Sequence, residues 1–428
     1  MRGEFMDLKL REFIIESKSI AIYLIKWILI SIVVGLFVGS VSAFFLVSLN
    51  FVTVIQNNYK WLLFLLPFGG ALVSYFYKRF GKNAIKGNNL VIEQANGKEE
   101  NVPLRMVPLA LSGTLITHLF GGSAGREGTA VQMGGAIAEF IGKIFKLDKL
   151  DRKIIIICGI SAGFSSVFGT PLAGTIFGLE VLSLGLIRHD ALVPSFFSAF
   201  FANIVTLNYG VTHSHYNIGV IPNLSAYLVL KLIIAGVAFG LVGLIFSKSV
   251  VIIKNFYTKH MPNTILRSSV GGLVVILLVF LVGARDYLGL SLSLLEQAFN
   301  GTVHPLTFLF KLIFTAFTLG GGFQGGEVTP LFVIGATLGS TLSTILVIPT
   351  AFLAALGFIG VFTGATNTPI TCFIMGIELF GSDAAVYLFL VCVVSYLCSG
   401  NTGIYSSQKI GTKKGSTTFN DEPENEKF

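Results

Sequence analysis

The amino-acid sequence predicts an all-α polytopic membrane protein made of two internally repeated halves with broken helices. Three observations carry that prediction: a strongly apolar composition, apolar runs spread along the whole chain, and a glycine-rich segment that returns after 200 residues.

Composition sets the solvent. Hydrophobic residues make up 53% of the 428 positions, charged residues only 12%, and there are 48 glycines. Counted with the glycines, the apolar share lies well above the roughly 45–50% of a soluble domain. A membrane-spanning helix needs about 17–25 mostly apolar residues. Runs such as Trp61–Tyr77, Ser269–Ala284 and Ala384–Cys398 are too numerous and too long for a soluble core. They do not alternate as the strands of a transmembrane barrel would.

The layout follows from these runs. The stretch from Ile20 to Phe51 is far longer than a signal sequence and is expected to be the first span. We expect a cytoplasmic segment over residues 1–19, a transport domain over 20–408, and a short polar, disordered tail over 409–428. Within the domain the repeats are expected at approximately 60–210 and 225–408. The net charge is +8, with basic clusters at Lys78–Lys86, Lys143–Lys153 and Lys248–Arg267. They carry no nucleic-acid motif, so lipid headgroups are their expected partners. Cys158, Cys372, Cys392 and Cys398 lack ligand-like spacing and read as small core residues. No cofactor or metal is expected.

The repeat is where chemistry enters. Leu119–Ala136 reads LFGGSAGREGTAVQMGGA, and Leu319–Ala336 reads LGGGFQGGEVTPLFVIGA. A second pair, offset by 198, reads TPLAGTIFGLE at Thr170–Glu180 and TPITCFIMGIE at Thr368–Glu378. A single duplication explains both pairs. Each half therefore brings a glycine break, an acid and the start of an apolar helix.

Glycine breaks inside a span free N–H groups that lipid cannot satisfy, so they must be buried in protein or line a cavity. Helices starting there offer donors and partial positive charge, which suits an anion. Paired broken helices in related halves point to a transport site near the midplane. Close helix packing is the plainer explanation for Gly134, Gly135 and Gly339. An intramembrane carboxylate is costly and marks function by default. Glu127 is the expected proton carrier, with a helix-capping pair to Arg126 as the plainer alternative. For Glu180 and Glu378 a role in helix packing and loop hydrogen bonding is expected.

The string Gly125-Arg126-Glu127-Gly128 resembles the gating-glutamate motif of the CLC family of anion channels and proton-coupled exchangers. Gly325-Gly326-Glu327-Val328-Thr329-Pro330 is similar to that family's second anion-binding loop. Lys86-Gly87-Asn88-Asn89-Leu90 stands at the place of the first such loop. Gly400-Asn401-Thr402-Gly403-Ile404-Tyr405 would carry the anion-coordinating tyrosine. The four occur in the family's order over nearly the whole chain. The resemblance implies a CLC-type fold with inverted halves and many tilted, broken helices.

Departures narrow the branch. Asn88 replaces the coordinating serine of chloride-selective members, and Glu327 precedes Val328 where those members carry an apolar residue and then phenylalanine. Thr129 replaces a proline, and Val181 stands where the inner proton-relay glutamate would be. This set resembles the bacterial fluoride-exporting branch, which implies fluoride/proton exchange in a homodimer with one pathway per subunit. Glu127 then gates and carries protons. Asn88, Glu327, Val328, Thr329 and Tyr405 bind or select the anion, and Gly87, Gly125, Arg126, Gly128 and Gly326 form the pathway backbone. Glu327 is open between tuning selectivity, sharing the proton with Glu127, and pairing with a polar partner off the pathway.

Three rival readings are open. Gly121–Gly125 and Gly159–Gly163 both match the GxSxG pattern of serine hydrolases, with His118 the nearby base. The pattern is common wherever glycine and serine abound, so the chain is not expected to be an enzyme. A passive anion channel and a chloride/proton exchanger are the nearer rivals.

Overall fold

The computed structural model describes residues 2–214 and 216–415, with side chains described from residue 17. The first half holds α1 (Arg2–Asn58), α2 (Leu66–Phe76), α3 (Asn88–Ala95), α4 (Met106–Leu119), α5 (Glu127–Ile144), α6 (Lys149–Phe168), α7 (Pro171–Glu180) and α8 (Leu192–Asn208). The second holds α9 (Ala226–His260), α10 (Thr264–Val282), α11 (Leu292–Asn300), α12 (Thr307–Gly320), α13 (Val328–Leu346), α14 (Thr350–Thr366), α15 (Pro369–Phe380) and α16 (Ala385–Cys398).

The duplication is visible in the packing. Helix α1 packs on α8 as α9 packs on α16, and α5 packs on α6 as α13 packs on α14. The α1 helix runs through position 20 unbroken and plays the part of α9, so the first repeat we trace begins within α1 rather than near 60. Among the described residues six helices are long and apolar enough to cross a membrane, and shorter apolar ones accompany them. Large apolar side chains such as Phe37, Phe68 and Leu281 face outward, as a lipid-facing surface requires.

Small residues set the crossings. A Cβ on Gly134 would stand 2.1 Å from the Gly159 carbonyl, and one on Gly335 would stand 2.1 Å from the Gly357 carbonyl. The backbones therefore touch at matching points of α5/α6 and α13/α14. A Cβ on Gly339 would stand 2.2 Å from the Leu353 carbonyl, and one on Gly135 would stand 2.6 Å from the Val91 side chain. Close packing explains these glycines, as expected.

After α6 and α14 the chain turns through left-handed residues, Gly169 and Asn367, into a Thr-Pro start. Proline at the first helical position loses no bond, because that N–H is free at any helix start. The next N–H groups are capped across the molecule. Glu378 accepts from Leu172 and Ala173 at 2.9 and 2.8 Å. Glu180 accepts from Ile370 and Thr371 at 3.1 and 2.8 Å, and from the Thr371 hydroxyl at 2.6 Å. Each half's acid caps the other half's helix, which is the packing and hydrogen-bonding role expected of this pair.

The expected disordered tail needs correction over its first part. Lys409–Ile410 pairs in parallel with Ser183–Leu184 as a two-residue strand. Lys409 N and Gly411 N donate to the carbonyls of Leu182 and Leu184, both at 3.0 Å. The polar residues order because they satisfy buried backbone after α7. Residues 416–428 lie outside the described residues.

Candidate functional site

The two glycine breaks meet. Gly125 N donates to Gly326 O at 2.6 Å, and Gly326 N donates to Gly125 O at 2.7 Å, an isolated antiparallel bridge. This pairing places the starts of α5 and α13 side by side, and only glycine allows it. A Cβ on Gly125 would stand 2.7 Å from a Glu127 carboxylate oxygen, and one on Gly326 would stand 2.8 Å from Gly128 N.

Glu127 is fully buried between the two helix starts. Its Oε2 accepts the backbone N–H of Arg126 at 3.0 Å and that of Thr329 at 3.1 Å. The Thr329 hydroxyl donates to Oε1. The Arg126 Nε lies 3.6 Å from Oε1. The carboxylate thus sits on donors from both halves, in the electrostatic position that suits an anion. The capping pair with Arg126 exists too, but it accounts for only one side of these contacts.

Around this center the other expected residues assemble. Asn88 Nδ2 lies 2.8 Å from the position a Cβ on Gly128 would take, and Gly87 neighbours the Gln132 amide. Asn88 Oδ1 and Gln132 Oε1 are enclosed with no hydrogen-bond partner among the described residues. Enclosed orphan polar atoms point to a group that the protein does not itself supply. An amide can meet an anion with its NH2 and a protonated carboxyl with its C=O.

Glu327 caps the start of α13 and is half-buried. Among the described residues its carboxylate has no hydrogen-bond or ion-pair partner within contact distance, and the charge that acts on it from farther off is that of Lys254. Val328 is buried behind it as the first residue of α13. Tyr405 is buried edge-on to Phe177, with ring centroids 6.2 Å apart, and both Glu127 and Glu327 lie within electrostatic range of its hydroxyl.

Some participants were not visible in the sequence. From Tyr405 a row of rings continues through Phe177, Phe164, Phe362 and Phe332 to Phe358. Phe332 and Phe358 then line a cavity of ≈ 40 Å³ that also touches Arg126 and Thr329. Thirty-nine phenylalanines mask the few that matter, although the i,i+4 pairs Phe164/Phe168 and Phe358/Phe362 were a usable signal. Gln132 was missed because it reads as an ordinary helix residue. The hydrolase reading does not fit. The His118 ring nitrogens face the carbonyls of Thr114 and Ala124, and the Ser161 hydroxyl faces the Thr175 carbonyl.

Residues 69–400 match the voltage gated chloride channel family. The chain belongs to that family, the CLC family. The chain is 44% identical over 405 residues to a chloride/fluoride channel protein of Pseudomonas syringae pv. tomato, covering 93% of this chain and 90% of that one. Its structure is similar to the crystal structure of a CLC-type fluoride/proton antiporter, with a TM-score of 0.88 and 36% identity, over 90% of this chain and 98% of that one. A slow cyanobacterial Cl⁻/H⁺ antiporter shares the fold, with a TM-score of 0.77 and 22% identity, over 89% of this chain and 96% of the other. The expected CLC fold and multi-pass membrane placement hold. Val181, expected from the resemblance to stand at the place of the inner relay glutamate, is a buried apolar residue whose carbonyl accepts from Gln408 Nε2 at 3.1 Å.

Proposed function

We propose that this CLC protein is a fluoride/proton antiporter that exports fluoride across the cell membrane, working as a homodimer with one pathway per subunit. The observation that carries the reading is the placement of Glu127 on the N–H groups of Arg126 and Thr329. The carboxylate takes the donors an anion would take. Protonation weakens its hold on those donors, so it leaves and the anion replaces it. One group thereby couples proton and anion.

Fluoride is small, strongly hydrated and a strong acceptor, so stripping its water calls for several donors at once. The N–H groups and hydroxyl at Thr329, with the Asn88 amide, supply them within one site. Tyr405 and the edges of the phenylalanine row extend the path, since ring edges carry partial positive charge. Glu327 tunes selectivity: left ionised it repels an anion, so it is protonated or swings aside when fluoride enters. The likeness to a fluoride/proton antiporter supports this reading, as does the relative named for chloride and fluoride.

That relative's name also favours a second reading, a passive channel passing both halides. Purified protein in liposomes separates the possibilities. Fluoride efflux followed by electrode is expected to exceed chloride efflux at least ten-fold, roughly a 1.4 kcal/mol preference. Equal fluxes would overturn the fluoride assignment.

A further inference from the structure

Lys311 is fully buried, takes no part in the exchange described above, and unlike the buried Glu139, which pairs with Arg152, it has no ion-pair partner among the described residues. It lies in the apolar helix α12, whose neighbouring residues are Leu312 and the phenylalanines Phe310 and Phe314. Its Nζ reaches four oxygens: Ser123 Oγ at 2.9 Å, Tyr287 O at 3.2 Å, Gly289 O at 2.8 Å and Ser291 Oγ at 2.8 Å. None belongs to an acid.

Counting protons decides the form of this group. The two carbonyls can only accept. The Ser291 hydroxyl donates to Leu288 O at 3.2 Å, so its oxygen also accepts from Lys311. With the Ser291 hydroxyl turned to Leu288 O, its oxygen and the two carbonyls match the three N–H donors of an ammonium. A neutral amine would meet only two of the three. Among the described residues no carboxylate lies within ion-pair distance of this group.

The ammonium stands directly behind the gate loop. Ser123 precedes the Gly125–Gly326 bridge by two residues, and its N–H donates to Thr318 Oγ1 at 3.2 Å. The loop is held along its whole length: Gly289 N donates to Gly122 O at 3.1 Å, and the His118 ring faces Ala124 O. The pair also breaks the symmetry of the repeat. At the same 200-residue spacing the other copies carry Leu111 and Phe323, both apolar.

We propose that Lys311 is a positioning residue for the transport cycle, a fixed buried cation that seats the Gly121–Gly125 loop and favours negative charge at the helix starts beside it. In a low-dielectric interior a charge without a counter-ion acts over several residues. It therefore favours both the Glu127 carboxylate and the fluoride that replaces it. The inference rests on the antiport reading.

Among the described residues the charged and titratable groups around this set include Arg126 and Tyr405 beside Glu127, His213 and Tyr216 on the cavity that Arg126 lines, Lys254 and Tyr405 near Glu327, and His118 and Tyr287 near Lys311. Removing the cation disfavours negative charge at the helix starts, which moves the pH dependence of transport upward.

The test is the pH dependence of fluoride transport in proteoliposomes. Lys311→Gln is expected to move the midpoint up by about one pH unit, ten-fold in proton concentration, and to raise the fluoride half-saturation. Lys311→Arg keeps the wild-type midpoint. Ser123→Asp leaves the lysine in place but pairs it, and is expected to move the midpoint up as Lys311→Gln does. An unshifted midpoint in whichever of these two neutralising variants folds overturns the proposal and leaves Lys311 a purely structural clamp. Wild-type protein that moves no fluoride against a pH gradient would instead overturn the antiport reading itself.

Discussion

Glu127 Oε2 accepts the backbone N–H of Thr329 at 3.1 Å, although the two residues stand 202 positions apart and belong to different halves of the duplication. The acid of one repeat is held by the helix start of the other. Neither repeat holds a complete site alone, which explains why a duplicated protein keeps its two loops locked back to back at Gly125 and Gly326.

The contacts of Thr329 suggest a way to loosen coupling without touching the acid. Thr329→Val keeps the N–H but deletes the hydroxyl that donates to Glu127. A hydrogen bond to a charged group contributes roughly 1.5–3 kcal/mol, so Glu127 leaves its position roughly ten- to a hundred-fold more readily. Fluoride should then move with fewer protons per ion, as read by paired fluoride and pH electrodes. An unchanged ratio would show that the hydroxyl does not hold the gate.

The exchanged caps should matter unequally. Glu180 is buried and accepts three bonds, whereas Glu378 is half-buried and accepts two. Buried N–H groups left unmet cost about 1–3 kcal/mol each. Glu180→Ala should therefore lower the thermal midpoint in detergent more than Glu378→Ala. The reverse order would mean that burial of these helix starts is not what fixes their importance.

The glycine crossings give a steric prediction. Gly335→Ala forces a methyl to 2.1 Å from the Gly357 carbonyl, in a rigid backbone contact. Overpacking costs roughly 1–3 kcal/mol and sometimes more, and this contact lies at the upper end. Gly283→Ala meets nothing within 4 Å, and its left-handed backbone, φ +72° and ψ 12°, is the sole obstacle. That left-handed backbone costs about 1–2 kcal/mol. Folded yield after extraction should fall much further for Gly335→Ala, and equal yields would contradict the packing.

Much of this was readable from the chain because the signals are local. The TP-to-E strings mark helix starts and ends in both halves, and the glycine strings mark the breaks. What each acid touches was not readable, since spacing along one chain does not say that Glu180 reaches Thr371. The Lys409–Ile410 strand was hidden for a similar reason: two residues carry no periodicity, and their order comes from the carbonyls of Leu182 and Leu184. Lys311 was visible as a lone cation in an apolar run, which marks a functional candidate by default.

The central claim is that Glu127 exchanges one proton for one turn of the anion site, and a pH gradient tests it most directly. Liposomes holding equal fluoride on both sides are given an inward proton gradient, and fluoride is followed by electrode. The account predicts uphill fluoride movement coupled to proton entry in the wild type. Glu127→Gln, whose amide cannot carry the proton, should lose it by roughly a hundred-fold or more. A proton gradient that fails to drive fluoride uphill, or a Glu127→Gln protein that still does so at the wild-type rate, would contradict it.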